Sequence, residues 1–244
     1  MSLIWSMSAL VVLALGFGTV AAAARSDPAK VFTNPRIVEL ARAIDDGNAP
    51  EVRRLVKAEG ADLSARGQQD VTLLQWAMLR DQPRMLKLLL ELGADPLQHG
   101  FGGQTALHMA AQAKNKPYLQ ILLDHGADPN ARDARTQAPV LSEAIMNRNA
   151  DAVALLLKHR ADPNAVDRQN ETPLHVAAQV NDYSSMLTLL EAGAETTIRN
   201  RSGRTFMAYF AIQPKESMMS WEAKRARKAV KDWLVGHGYK DEAP

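Results

Sequence analysis

The chemistry-capable residues of this chain recur at a fixed period and never converge in pairs. Its six histidines are His99, His108, His125, His159, His175 and His237. None is spaced as His-Glu-x-x-His, the helical pair that holds a metal ion. His125 and His159 each stand just before a turn, where the negative end of a helix favours an imidazole. Asp62, Asp95, Asp128, Asp162 and Glu195 form a series with one acid per period. Acid–base catalysis needs two carboxyls converging on one pocket, which such a series does not supply. Gly100-Phe101-Gly102-Gly103 is not followed by the Lys-Ser/Thr that completes a phosphate loop. There is no Gly-x-Ser-x-Gly elbow. The absence of cysteine excludes a thiol nucleophile, a thiolate zinc site, an iron–sulfur cluster and a disulfide framework. The expectation is a protein that is not an enzyme, with no catalytic residue, cofactor or metal.

The period itself is set by two motifs in phase. Gly60-Ala61-Asp62 returns as Gly93-Ala94-Asp95, Gly126-Ala127-Asp128, Arg160-Ala161-Asp162 and Gly193-Ala194-Glu195, at steps of 33, 33, 34 and 33 residues. Between them come Thr72-Leu73-Leu74-Gln75-Trp76-Ala77, Thr105-Ala106-Leu107-His108-Met109-Ala110 and Thr172-Pro173-Leu174-His175-Val176-Ala177. Ala144 fills the fourth alanine place. Thr172 suits a helix N-cap and Pro173 the first helical turn, where a missing N–H costs nothing. Ala177 and Ala178 are small enough for close helix approach. Met186, Leu187, Leu189 and Leu190 form an apolar stripe on a second helix. Gly193 supplies the left-handed residue that ends it. Arg160 takes that place in one unit and should carry backbone strain.

This chain resembles the ankyrin-repeat family from about residue 34 onward, and is similar to its exported bacterial type. The resemblance implies an all-α ankyrin-repeat solenoid, with helix-turn-helix repeats, β-hairpin fingers and about six repeats including atypical caps. The resulting layout has a capping repeat at 34–65, internal repeats at 66–98, 99–131, 132–165 and 166–198, a C-terminal cap at 199–240 and a tail at 241–244. The expected shape is a curved stack with one concave face. His108 and His175 occupy the family's Thr-Pro-Leu-His slot, and are expected to tie neighbouring turns together by hydrogen bonds.

The family binds proteins through its finger tips and the solvent side of its first helices. The spacing from each turn anchor to the next helix start is 12 residues except at Gly126–Pro139, where it is 13. The extra residue lengthens one finger, a common feature of binding faces. Across the fingers, Arg66, Arg132, Arg135, Arg168, Arg199, Arg201 and Arg204 outnumber Asp70, Asp133, Asp167 and Glu171. Arg suits bidentate carboxylate contacts, so the expected partner is a protein with an acidic surface. His99, Phe101 and Gln104 join the candidate contact set at one tip. Leu79, Arg80, Gln112, Met146, Asn147, Gln179 and Val180 join it on the first helices. Reversal of Arg132 and Arg135 is expected to slow association without altering stability. With 29 Lys and Arg against 27 Asp and Glu, the chain is not built as a nucleic-acid binder. A monomer is expected.

Residues 1–24 carry no charged side chain and end in Ala21-Ala22-Ala23-Ala24. They read as a signal peptide, or as an uncleaved anchor, followed by a linker at 25–33. Export places the body in the periplasm. Arg25, Lys30 and Arg36 follow the run, and an uncleaved version would hold the body on the cytoplasmic side of the inner membrane. At the other end, Lys224, Arg225, Arg227, Lys228 and Lys231 flank Trp221, Val230, Trp233 and Leu234. This amphipathic helix is expected to close the last core layer with its aromatics, while its charge would also suit an anionic membrane surface or a phosphate. The family resemblance offers two roles: an immunity protein that blocks an interbacterial toxin such as a type VI secretion phospholipase, or a periplasmic scaffold or chaperone for a resident enzyme linked to catalase and oxidative stress.

Overall fold

The computed structural model describes residues 26–114, 117–212 and 216–239. The apolar run at 1–24 and the tail at 241–244 lie outside the described residues. Within them the chain forms thirteen α-helices. They are α1 (Pro28–Val31), α2 (Pro35–Asp45), α3 (Ala49–Lys57), α4 (Leu73–Leu79), α5 (Pro83–Glu91), α6 (Ala106–Gln112) and α7 (Tyr118–Asp124). Then come α8 (Val140–Met146), α9 (Ala150–Lys158), α10 (Pro173–Gln179), α11 (Tyr183–Glu191), α12 (Phe206–Ala211) and α13 (Trp221–Gly236). No described helix is long and apolar enough to cross a membrane. The contacts fall into two compact units. The first holds the described residues up to Ala106, with Asp124–Ala127, and the second holds Leu107–Leu123 and the residues from Asp128 onward.

In the first unit, Asn34 and Asn48 cap α2 and α3 through their side-chain oxygens. Thr72 caps α4 in a reciprocal box with Gln75. Trp76, Leu40, Ile44, Leu55, Leu73, Leu86 and Leu89 are fully buried. The segment expected as a linker packs onto this core. Pro28–Val31 is a helical turn capped by Asp27, and Phe32 lies edge-on to Trp76 at 5.4 Å. Gly67 allows this packing, because a Cβ there would lie 2.6 Å from the Val31 side chain.

In the second unit the same grammar repeats. Asn149 caps α9, Thr172 and His175 form the box of α10, and Asp182 caps α11. Ala110, Ala144 and Ala177 are buried where paired helices touch, with Leu107, Leu141 and Leu174 beside them. Met186, Leu189 and Leu190 are buried, whereas Leu187 is only half-buried. Arg160 adopts φ 67°, the left-handed conformation that glycine takes at Gly193 with φ 89°. The fingers form no strands among the described residues. Pairing reduces to single bridges at Arg66–Thr72 and Arg132–Pro139.

Candidate protein-binding surface

Each finger is a tight turn that presents its tip residues outward. In the second unit the turns are built on one Asx residue apiece. Asp133 accepts from the N–H groups of Arg135 and Thr136, both at 2.8 Å. Asp167 accepts from Gln169 at 2.8 Å and Glu171 at 2.9 Å. Asn200 does the same for Ser202 and Arg204, at 3.0 Å each. These bonds fix the loops from within, as short polar side chains do in turns. Asp133 and Asp167 are therefore held by their own backbone. Neighbouring fingers are also knitted together. The Arg168 N–H donates to the Thr136 carbonyl at 2.9 Å, and the Arg201 N–H donates to the Gln169 carbonyl at 2.8 Å.

This framework sorts the arginines of the second unit. Arg135, Arg168 and Arg201 each stand four residues before the residue that starts an inner helix, Pro139, Thr172 or Thr205. All three are exposed. The guanidinium groups of Arg135, Arg201 and Arg204 hold no partner among the described residues. Arg168 reaches the Ala134 carbonyl at 3.2 Å, and Arg199 the Gly203 carbonyl at 2.7 Å, from exposed positions. Arg132 is different. Its guanidinium donates to the carbonyl of Gln137 at 3.1 Å and to that of Val166, which ties its finger to the next. It is half-buried and committed to the fold.

The inner helices of that unit supply the floor. Met146 and Gln179 are exposed, and Val180 is half-buried. Asn147 donates to the Glu143 carboxylate at 3.1 Å and to its carbonyl at 2.9 Å. Gln112 bonds the same carboxyl group. Burial raises the Glu143 pKa above its ordinary value, with a smaller contribution from nearby Asp133. The sequence reading missed Glu143. Its signal is visible in hindsight, since its place in the repeat is held by Trp76, Met109, Val176 and Tyr209 elsewhere. Glu171 is more than a finger charge. It accepts from Asn200 at 2.8 Å and from the Tyr209 hydroxyl at 3.1 Å. Burial raises the Tyr209 pKa, and the Glu171 charge adds to the shift.

In the first unit the candidate residues are less free. Arg80 stacks on Trp76, with 4.1 Å from guanidinium to ring, and pairs with Asp45 at 3.1 Å. It also donates to the Ser26 carbonyl, so it clamps the N-terminal segment. Asp45 has a raised pKa, because burial outweighs the Arg80 attraction. Arg66 lies 4.0 Å from Asp70 at an exposed tip. Leu79 is half-buried and His99 is exposed. Phe101 is half-buried, and its N–H donates to Gln75 at 3.0 Å. Gln104 is half-buried, and its carbonyl accepts from the Gln75 amide at 3.0 Å. Gly100 is required here, since a Cβ would lie 2.2 Å from the Gln75 oxygen.

The Thr-x-x-His slot works as a tie between units of the repeat. His175 Nε2 lies 3.1 Å from the Arg204 carbonyl, and His108 Nε2 lies 3.3 Å from that of Ala138. Both rings are buried. Among the described residues no cluster of three or more His, Asp or Glu is placed to hold a metal ion.

The family described as ankyrin repeats in three copies matches residues 40–133 and 135–200. This chain belongs to the ankyrin-repeat family. No curated protein matches it. Ankyrin repeats are protein-interaction modules, typically without catalytic activity, and the ankyrin chain described here is all-helical within its described residues. Family membership alone does not choose a partner.

Proposed function

We propose that this ankyrin protein binds one protein partner with an acidic contact surface through the fingers and inner helices of its second unit. The observation that carries this reading is the series Arg135, Arg168 and Arg201, exposed at one register and mounted on turns already fixed by Asp133, Asp167 and Asn200. A preformed cationic series loses little ordering entropy on binding. Exposed arginines of this kind attract a carboxylate-bearing surface and steer it onto the fingers. Met146 and Gln179 add apolar and polar contact on neighbouring helices.

In the more specific form of this reading, the chain is exported to the periplasm and neutralises an interbacterial toxin, such as a type VI secretion phospholipase, by covering its active site. Export draws support from the uncharged apolar run that ends in four alanines. The immunity role draws support from the finger surface, whose exposed arginines could engage the acidic rim of a toxin's active site. An anchored adaptor is the second reading, favoured by Arg25, Lys30 and Arg36 just after the run.

The test places a photo-cross-linking amino acid at Ser202, an exposed finger residue, in the native cells. The expected result is one stoichiometric protein, cross-linked through an acidic segment and lost in an R135E/R201E variant. A variant that captures the same protein as wild type would overturn the arginine surface. Sequencing the mature N-terminus in the same sample tests export: a start near Ala24 or Arg25 supports it, and a full-length membrane-bound chain refutes it.

A further inference from the structure

In sequence, α13 is expected to cap the last core layer with its aromatics turned inward. The capping contact is made by Val230 and Leu234, which are buried, while Trp221 is 66% exposed. Met218, in the short turn just before α13, is 78% exposed. A large indole left in water is not needed for closing the core, so its position asks for another occupant.

Beside these apolar groups runs a cationic stripe. Lys224, Arg227, Lys228 and Lys231 follow one another at i, i+3, i+4 and i+7, which brings them onto one face of α13. With Arg225 and Met219 they line an open cleft of about 450 Å³. Little acid offsets them. Asp232 pairs with Lys228 at 2.7 Å, and Glu222 is the only other acid in the helix. Lys224, Arg225 and Lys231 have no hydrogen bond or ion pair among the described residues. Arg227 lies at the inner border of the stripe, with its guanidinium 6.0 Å from the Phe210 ring.

We infer that α13 and the turn before it form a docking face for an anionic lipid surface. Lipid phosphates match the stripe in charge, and the interfacial zone just beneath them accepts Trp221 and Met218. A soluble phosphate-bearing partner would use the cations and leave the indole and thioether in water. A bilayer surface takes both groups at once, with phosphates for the stripe and the interfacial zone for the indole and thioether. The helix is already formed and held by its own core contacts, so docking requires no folding step. This face is separate from the finger surface proposed for the protein partner.

The absence of cysteine allows a clean probe. Ser217 is exposed beside Met218, and a Ser217→Cys chain can carry a polarity-sensitive fluorophore there. The probe also avoids a confusion: the apolar run at 1–24 can hold the full chain on any vesicle, but the label reports only on this face. The full chain is mixed with phosphatidylcholine vesicles, with or without about one-third phosphatidylglycerol. The expected result is a blue shift with anionic vesicles only, reversed at about 0.5 M salt by screening. In a K224E/R225E variant the apparent affinity should fall by about tenfold or more. The new acids lie in the first turns of the helix, where its dipole favours them, so folding is preserved. A Trp221→Ser chain should lose the shift while retaining some salt-sensitive binding. An equal shift on neutral vesicles, or an unchanged response in K224E/R225E, would overturn the inference. So would a response to a soluble phosphopeptide with none to anionic vesicles.

Discussion

Reversing Arg132 to Glu removes the donor that holds the Gln137 and Val166 carbonyls and places a carboxylate against two carbonyl oxygens. The cost should be about 1–3 kcal/mol, read as a lower midpoint in denaturant. Reversing Arg135 alone should leave that midpoint within about 0.5 kcal/mol of wild type, since its guanidinium is exposed and unshared. The two residues look alike in sequence, because the Val166 carbonyl that sets Arg132 apart belongs to the next repeat. Equal midpoints for the two variants would show that the Arg132 tie is not made in solution. Glu143 gives a second test at this scale. Its folded pKa is raised by burial, so the folded state holds its proton more tightly than the unfolded chain does. Its contribution to stability is therefore most favourable at low pH, and is lost as pH rises from the unfolded value through the folded one. Glu143→Gln removes that cost. Melting temperature should rise relative to wild type at neutral pH and converge with it near pH 4. A difference that stays constant across this range would mean the carboxyl is not desolvated.

The inner helices share one device, a polar side chain three residues after the helix start that reaches the next finger. Gln75, His108 and His175 each do this. Ser142 holds the equivalent place in α8, and its buried hydroxyl has no partner. A serine is too short for the span. In that repeat Arg132 supplies the connection instead, by reaching Val166 from the finger. The slot was legible as a motif, and so were the caps, the alanine contacts and the outer-helix leucines, because each depends on residues close in sequence. The substitution of one tie by another was not, since it depends on which carbonyl faces which side chain. The docked segment at Pro28–Phe32 was hidden for the same reason. Its partners are Trp76 and Gly67, and Arg80 holds Ser26 just before it, all more than thirty residues away. The strain at Arg160 was legible, and φ 67° bears it out. Arg160→Gly should relieve a left-handed penalty of about 1–2 kcal/mol and lose part of it to unfolded-state entropy. The expected net gain is about 0.5–1 kcal/mol in chemical denaturation, and a loss of stability would show that the arginine side chain contributes packing that outweighs its backbone.

At the scale of the whole chain, a net charge of +2 conceals how the charge is distributed. Ankyrin repeats draw stability from neighbour contacts along the chain, which leaves tip residues free to be chosen for a partner. Composition alone shows near neutrality. Only the fold separates arginines spent on carbonyls from those held in solvent at Arg135, Arg201 and Arg204. Charges of this kind act chiefly on encounter, because they attract a partner before contact and are screened by salt. With the cross-linked partner in hand, the association rate of wild type should fall by about tenfold or more as salt rises from about 0.01 M to 0.5 M. The R135E/R201E variant should associate more slowly at low salt and show a much flatter dependence. Its dissociation rate should change far less, because these side chains lie at exposed tips. If the variant instead dissociates faster and keeps the wild-type salt slope, the two arginines act by close contact inside the interface and the steering field arises elsewhere on the chain.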